Sequence, residues 1–256
     1  MDYNYHTHTK RCSHATGEME EYIQRAIACG IKYMGFSEHA PYVSFDGTEA
    51  YYRLPVSQVG DYFSEIGILS EKYKNQIEIS VGFEMEYYPK YFKTMLENCR
   101  KAGAQYLILG EHFLNDKGKS VYVKTKNKTT LKTYVSRIVR GIKTGVYTYV
   151  AHPDIMRFTG DGEIYAEEMR KICIASRECF VPLEINFLGI RQNRDYPNEF
   201  FWKVAGEEKC PVTFGFDAHD TESAYDDKSL ERAMELVRKY NLNYIGKPQI
   251  KSITNT

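Results

Sequence analysis

The sequence lacks an excess of either charge, because 34 Lys and Arg residues balance 34 Asp and Glu residues. Proteins that bind the phosphate backbone of nucleic acids usually carry a basic excess, so we do not expect nucleic acid to be the main partner. A small anionic ligand is still compatible with this balance, since it needs only one or two local cations.

The chain also lacks a long apolar run and a recognisable targeting segment. No stretch approaches the length needed to span a bilayer, and residues 1–5 offer neither a basic n-region nor an apolar h-region. The six cysteines form no CxxC pair and no dense framework, which favours idle thiols in a reducing compartment. We therefore expect a cytoplasmic protein with no membrane partner. The sequence makes no prediction about oligomeric state.

Neither a low-complexity linker nor an internal repeat divides the chain, so we expect one domain over residues 1–256. Short segments rich in Tyr, Val, Ile and Phe alternate with helix-like segments. The predicted strands are 3–6, 33–36, 78–83, 106–109, 147–151, 181–186 and 212–216. The predicted helices are 18–29, 56–73, 91–101, 130–144, 163–178, 198–208 and 228–240. Gly30, Gly103 and Gly145 follow three of these helices at the C-cap position. Seven alternating units predict an α/β protein with a mainly parallel sheet.

Each predicted strand runs into a polar segment at its carboxyl end. Six of the seven histidines lie at these ends, and His14 lies in the loop just after the first strand. The number of histidines is ordinary, so the information lies in their placement. The segments are His6-Thr7-His8, Ser37-Glu38-His39, Glu84-Met85-Glu86, Gly110-Glu111-His112, His152-Pro153-Asp154, Glu184-Ile185-Asn186 and Asp217-Ala218-His219-Asp220.

The distribution of these segments separates two architectures. In a (β/α) barrel all strand carboxyl ends meet on one face, whereas in an open doubly wound sheet the edge strands are too far from the site to contribute. Polar endings on all seven strands favour a TIM-barrel-like (β/α)7 barrel.

The residue types at the strand ends suit a site with more than one metal ion. A His-x-His motif on an extended segment directs both imidazoles to the same side, as in His6-Thr7-His8. A carboxylate such as Glu84 can bridge two ions. Imidazole and carboxylate together suit Zn, Mn or Fe(II) more than Ca or Mg. Cys12 is a less favoured donor, since such sites mostly use N and O ligands where these are present.

Taken in order, these motifs resemble those of the PHP (polymerase and histidinol phosphatase) superfamily over essentially the whole chain. The segments 11–17, 36–41, 82–87 and 183–186 are most similar to the monofunctional histidinol-phosphate phosphatases. One departure is Gly110-Glu111-His112, where the family often has one more residue before the histidine. This departure leaves the shape of the local loop open.

The resemblance implies a distorted (β/α)7 barrel that holds three divalent ions, with Zn, Mn or Fe as the candidates. The implied ligands are His6, His8, Glu84 and Asp217 for the first ion, Glu84, His112 and His152 for the second, and His14, His39 and His219 for the third. The assignment of His14 depends most on the resemblance, because a histidine in a polar loop is otherwise explained equally well as a solvated residue.

Two ions in such a site lower the pKa of a bridging water, and the hydroxide attacks phosphorus in line. The resemblance also implies that Arg157 and Arg191 contact the phosphate group, the alternative for each being a surface salt bridge. No general acid is assigned, since Asp154, Glu111 and Asp220 are candidates only as neighbours of ligands.

The activity implied by the resemblance is hydrolysis of L-histidinol phosphate to L-histidinol and phosphate, a step of histidine biosynthesis. Two alternatives stay open: a phosphatase for another small phosphomonoester or for phosphotyrosine, and a metal-binding module without turnover. The complete ligand set argues against the module. Five tyrosines after the second and third strands offer walls for an imidazole ring or are ordinary surface and core residues; they are Tyr42, Tyr51, Tyr52, Tyr87 and Tyr88.

Overall fold

The computed structural model describes residues 1–42, 49–114 and 118–253. Within these ranges the strands are β1 (Tyr3–Asn4), β2 (Tyr33–His39), β3 (Glu78–Glu84), β4 (Tyr106–Ile108), β5 (Leu183–Asn186), β6 (Pro211–Gly215) and β7 (Asn243–Tyr244). The α-helices are α1 (Met19–Ala28), α2 (Val59–Tyr73), α3 (Phe92–Ala102), α4 (Lys128–Lys143), α5 (Gly162–Cys179), α6 (Phe187–Arg191), α7 (Glu199–Glu208) and α8 (Asp227–Tyr240). None of the helices found there is long and apolar enough to cross a membrane.

The helix boundaries follow local capping chemistry. Asn127 and Asp161 begin α4 and α5, and each side chain accepts hydrogen bonds from two backbone N–H groups of the first turn. Gly30, Gly103 and Gly145 have φ angles of 82°, 89° and 76°. These left-handed conformations confirm the predicted C-terminal ends, because glycine adopts them without a steric penalty.

The strands are parallel and form two runs, β1-β2-β3-β4 and β5-β6-β7. Two sets of isolated bridges join the runs into a ring. Val150 pairs with Leu109 on one side and with Leu183 on the other. Thr7 pairs with Ala218, where His8 N donates to Ala218 O at 2.9 Å. The sheet therefore curls into a distorted barrel, and the predicted fold class is confirmed.

Three elements differ from the sequence prediction. The segment 147–151 is not a continuous strand, because only the bridges at Val150 tie it to its neighbours. The sequence did not predict β7, which has two residues and is too short for a periodic signal. It also did not predict α6, which begins directly after β5, where the side chain of Asn186 caps Gly189 N at 3.2 Å.

Tyrosines fill the interior of the ring below the strand ends. Tyr3, Tyr5, Tyr106 and Tyr149 form one buried cluster with Ile108 and Ala151. The hydroxyl of Tyr106 donates to Tyr5 O at 2.9 Å, so a buried polar group is satisfied inside the barrel. Part of the high tyrosine content therefore serves the barrel core, and the polar strand ends remain for chemistry.

Candidate metal centre

The nine predicted ligands converge at the carboxyl ends of the strands. His39 and Glu84 end neighbouring strands and lie opposite each other in the parallel register. His6, His8, Glu84 and His152 are almost fully buried, whereas His14 is exposed and His219 is partly buried. The barrel topology therefore brings together residues separated by up to 213 positions, from His6 to His219 (219 − 6 = 213).

Four ligand atoms form a compact cage. His6 Nε2 lies 3.7 Å from Glu84 Oε2 and 3.5 Å from Asp217 Oδ1. His8 Nε2 lies 3.5 Å from Glu84 Oε2 and 3.4 Å from Asp217 Oδ1. Donors about 2.0–2.2 Å from a tetrahedral ion are separated by about 3.3–3.6 Å, so the spacing fits one such ion.

The same four atoms are buried and make no hydrogen bond to any described residue. A buried polar atom without a partner is costly, so native proteins rarely leave one unsatisfied. Four such atoms pointing at one centre fit a divalent cation. The donor set of two imidazoles and two carboxylates also fits.

Glu84 faces different histidines with its two oxygens. Its Oε1 lies 2.8 Å from His152 Nε2 and 3.3 Å from His112 Nε2. Its Oε2 belongs to the first cage and lies 3.0 Å from His39 Nδ1. This is the arrangement that a carboxylate bridging two ions requires.

His14 also joins the cluster, as the resemblance implied. Its ring centroid lies 5.3 Å from that of His39 and 4.8 Å from that of His219. The Nδ1 atoms of His14 and His219 lie 2.7 and 3.1 Å from the backbone oxygens of Cys12 and Asp217. The Nε2 atom of each ring is therefore left to bind a metal ion.

Cys12 has a structural role in this neighbourhood. Its thiol donates to Thr9 O at 3.1 Å, and burial raises the pKa of the thiol. Its sulfur also lies close enough to His14 and His219 to share an ion with them, although imidazole and carboxylate donors are the favoured ligands of such sites.

Three buried carboxylates accept a hydrogen bond from the Nδ1 atom of three candidate ligand histidines. The pairs are His6 Nδ1 with Glu184 Oε1 at 2.8 Å, His8 Nδ1 with Glu38 Oε1 at 3.3 Å, and His112 Nδ1 with Glu86 Oε1 at 3.2 Å. Such contacts fix the tautomer and orientation of metal-binding imidazoles. These glutamates lie in the polar segments at the strand ends, but their contacts with the histidines are not predicted from the sequence.

The charges at the site compete for protons. Burial alone would lower the pKa of His8, but Asp217 and Glu38 raise it to about 9. Burial and the neighbouring His8 lower the pKa of His39 to about 4. Burial would raise the pKa of Glu84, but His112 and His39 hold it well below its ordinary value. Because a bound cation would displace the proton of His8, metal affinity is expected to fall as the solution becomes more acidic.

The backbone near the candidate ligands has two unusual features, positive φ angles at two residues and two glycines packed against carboxylates. Asp217 and His152 have φ angles of 47° and 30°, a region that costs energy for non-glycine residues and often occurs at functional sites. A Cβ on Gly110 would lie 1.8 Å from Glu84 Oε1, and one on Gly215 would lie 1.8 Å from the oxygen of Glu184. Both glycines therefore make room for a buried carboxylate.

A cavity of about 930 Å³ opens over the cluster. Its floor includes Glu84, Asp217 and four of the ligand histidines. One side is aromatic, with Tyr51, Tyr52, Phe113, Tyr122 and Tyr196, and another carries Arg157 and Arg194. Of the five tyrosines predicted from the sequence as possible walls, Tyr42, Tyr87 and Tyr88 are not among the residues that line this cavity.

The two arginines expected to contact phosphate lie in different places, Arg157 at the cavity and Arg191 away from its lining. Arg157 lines the cavity and forms an ion pair with Asp195. Arg191 is not among the lining residues, because its guanidinium donates to Phe216 O and Asp217 O at 3.0 and 3.2 Å and pairs with Asp226.

Arg194 lines the cavity instead and donates to the hydroxyl of Tyr196 at 3.0 Å. Arg194 is not predicted from the sequence as a phosphate contact, although it lies in the same polar segment as Arg191.

The three acidic neighbours considered as general acids are held in structural contacts. Asp154 accepts from Asn198 N at 2.6 Å and from Trp202 Nε1 at 2.9 Å. Glu111 accepts from Tyr87 N at 3.1 Å. Asp220 accepts from the backbone of Ser223 at 2.8 Å, and none of the three lines the cavity described above.

Comparisons with known proteins agree with this architecture. The PHP domain family matches residues 4–186. A histidinol-phosphatase of Bacillus subtilis strain 168 is 24% identical over 247 residues, which cover 84% of this chain and 92% of the relative.

Two solved structures share the fold. A histidinol phosphate phosphatase from Lactococcus lactis, crystallised with Zn, L-histidinol and phosphate, has a TM-score of 0.74 at 20% identity over 99% of this chain and 97% of that chain. A chain from the metal-dependent tyrosine phosphatases of Bacillus subtilis and Streptococcus pneumoniae has a TM-score of 0.51 at 12% identity over 98% of both chains.

Proposed function

The chain belongs to the PHP domain family, and from that premise we propose that it is a metal-dependent phosphatase that hydrolyses L-histidinol phosphate to L-histidinol and inorganic phosphate. The observation that carries the proposal is one cavity lined both by Glu84 and Asp217, which have unpaired carboxylate oxygens, and by Arg157 and Arg194. Cations beneath and beside a cavity suit a phosphoryl group, whose negative charge must be stabilised during transfer. The histidinol-phosphatase of Bacillus subtilis supports the same choice of substrate.

The nine ligands form three groups that suit three divalent ions, with Zn, Mn or Fe as the candidates. The first ion takes His6, His8, Glu84 and Asp217, the second takes Glu84, His112 and His152, and the third takes His14, His39 and His219. When bound, such ions act as Lewis acids on the phosphoryl group and activate a water molecule near neutral pH.

The side chains of the cavity bind and orient the ester. Arg157 and Arg194 offer planar N–H groups that match the oxygens of a phosphate group. Arg191 acts behind the site, where it holds the backbone oxygen of Asp217.

The aromatic side of the cavity suits the imidazole ring of the substrate. The rings of Tyr52 and Phe113 stack with centroids 5.0 Å apart, and Tyr122 lines the same cavity. Aromatic faces of this kind can pack against a planar ring in offset or edge-to-face geometry. They also suit the ring of phosphotyrosine, which keeps an aryl phosphomonoester as the second candidate.

The proposal is tested by a phosphate-release assay of the purified protein with Mn or Zn present. The substrates are histidinol phosphate, phosphotyrosine, sugar phosphates and nucleotides. We expect kcat/KM for histidinol phosphate to exceed that of every other ester by more than tenfold. A preference of tenfold or less would favour a broader phosphomonoesterase, and the absence of any release would support the non-catalytic metal-binding module.

The two arginines that follow β5 are expected to have different roles. A hydrogen bond to a charged group contributes about 1.5–3 kcal/mol, so Arg194→Ala should raise the inhibition constant for inorganic phosphate roughly 10- to 100-fold. Its metal content should stay unchanged, since Arg194 contacts no ligand residue through a hydrogen bond. Arg191→Ala should instead lower the metal content, because Asp217 O keeps only its contact with His219 Nδ1 and the backbone of Asp217 is held less firmly.

Inhibition by phosphate and metal content are measured on both variants, with Arg232→Ala on the exposed face of α8 as the control. If Arg191→Ala weakened phosphate binding at full metal content, Arg191 would be a phosphate ligand, as the sequence predicted.

A further inference from the structure

We propose that Arg53 is a positioning residue that orients His112 through Glu86 and thereby sets the affinity of the second metal site. Arg53 and Glu86 are 2% and 1% exposed, and Arg53 is not among the residues that line the cavity. The inference rests on the metal centre of the proposed function and assigns this buried pair a role in it.

The contacts form a continuous chain from the guanidinium to the ligand. Arg53 Nη1 and Nη2 donate to Glu86 Oε2 and Oε1 at 2.8 and 2.7 Å. The same Oε1 lies 3.2 Å from His112 Nδ1, and His112 Nε2 faces Glu84 Oε1 at 3.3 Å. Because His112 Nδ1 donates to the carboxylate, the lone pair of Nε2 is left to bind a metal ion.

The two-point grip fixes the plane of the carboxylate. A guanidinium that meets both oxygens of Glu86 leaves that group little rotational freedom. The oxygen that accepts from His112 is therefore held in place, and with it the ring.

Arg53 also reaches two other parts of the site. Its Nη1 donates to Ala40 O at 3.1 Å, directly after the ligand His39. Its guanidinium carbon lies 5.1 Å from the ring centroid of Tyr52, within range of a cation–π contact. One buried cation thus connects the ends of β2 and β3 with the aromatic side of the cavity.

Stability alone is a weak reason to bury such a pair. The loss of hydration of two charges offsets most of their attraction, and apolar replacements of similar volume are often as stable. Glu86 Oε1 accepts hydrogen bonds from both Arg53 and His112, and this shared contact points to orientation of His112 instead. Lysine should not substitute, because its single ammonium cannot meet both carboxylate oxygens and Ala40 O together.

The test uses metal-stripped full-length protein titrated with Zn in competition with a chromophoric chelator. Arg53→Lys should weaken the binding of one ion by roughly 10- to 100-fold, the usual effect of removing a hydrogen-bond partner of a metal ligand. The affinities for the other ions should change by less than about threefold. Arg170→Lys is the matched control, because Arg170 also uses both of its terminal nitrogens on carboxylate oxygens, here of Glu207 and Glu208 on the surface between α5 and α7. It should bind all ions as the wild type does.

A double variant, Arg53→Met with Glu86→Met, separates orientation from simple stability. It leaves no unpaired buried charge and should unfold cooperatively, yet it removes the acceptor of His112 and should show the same loss of affinity for one ion. If either variant bound every ion as tightly as the wild type, the proposal would be wrong. The titration needs no substrate, so an error in the choice of histidinol phosphate would appear only in the phosphate-release assay.

Discussion

Glu84→Gln should lose phosphatase activity by a factor on the order of 10³ or more, equivalent to about 4 kcal/mol of transition-state stabilisation. The wild-type carboxylate presents Oε2 to His6 and His8 and Oε1 to His152. An amide has one oxygen and one NH2 group, and the NH2 group only donates. One of the two candidate ion positions would therefore face an NH2 group, which offers no lone pair to a cation, and the variant should bind at least one ion fewer.

Metal content per chain and initial rates are measured together on Glu84→Gln. Glu235→Gln, on the exposed side of α8, removes the same charge far from the cluster and should match the wild type. A Glu84→Gln protein that kept the full number of ions and most of its activity would show that Glu84 does not bridge two sites.

The positions of the ligands could be predicted because parallel strands have equivalent ends. His39 and Glu84 belong to different predicted units, yet the register of β2 and β3 pairs them directly. The side chains of His6 and His8 point to one centre because alternate residues of an extended segment share a face. Strand spacing therefore predicts that these side chains meet, whereas the assignment of each residue to an ion comes from the family resemblance.

The supporting residues could not be predicted in the same way, because their roles depend on side-chain direction. Arg191 ends α6, a five-residue helix that the sequence did not signal, and this helix turns its guanidinium toward Asp226. Arg194 lies just beyond α6 and reaches the cavity. Neighbouring arginines in one segment thus have different surroundings, which depend on the course of the local backbone.

The segment around Val150 shows a second reason why the sequence does not predict every feature: the requirements of the site override local preference. Its apolar run predicts a strand, but the barrel uses only single bridges there. The next ligand, His152, has a left-handed φ of 30° and its backbone N donates to Glu184 at 3.0 Å. The requirement to present His152 to Glu84 overrides the local preference for a regular strand.

Gly110→Ala should impair the metal centre although it changes no ligand. The added Cβ would lie 1.8 Å from Glu84 Oε1 and 2.5 Å from the carboxylate carbon, so Glu84 must move by more than an ångström. Glu84 is 1% exposed and its two oxygens face histidines, so any shift of the carboxylate changes its distances to them. A displacement of about 1 Å at a reacting centre can cost about 10²-fold in rate, and we expect a loss of at least this size together with lower metal content.

Gly67→Ala is the matched control, because Gly67 lies within α2 and a Cβ there meets no atom within 4 Å. It should keep full activity and raise the free energy of unfolding by about 0.5–1 kcal/mol, as expected for alanine in place of glycine in a helix. Thermal unfolding, metal content and rates are compared for both variants. Wild-type metal content and activity in Gly110→Ala would show that the carboxylate of Glu84 has room to move. The close packing of Glu84 against Gly110 would then not be what positions the carboxylate between the two groups of histidines.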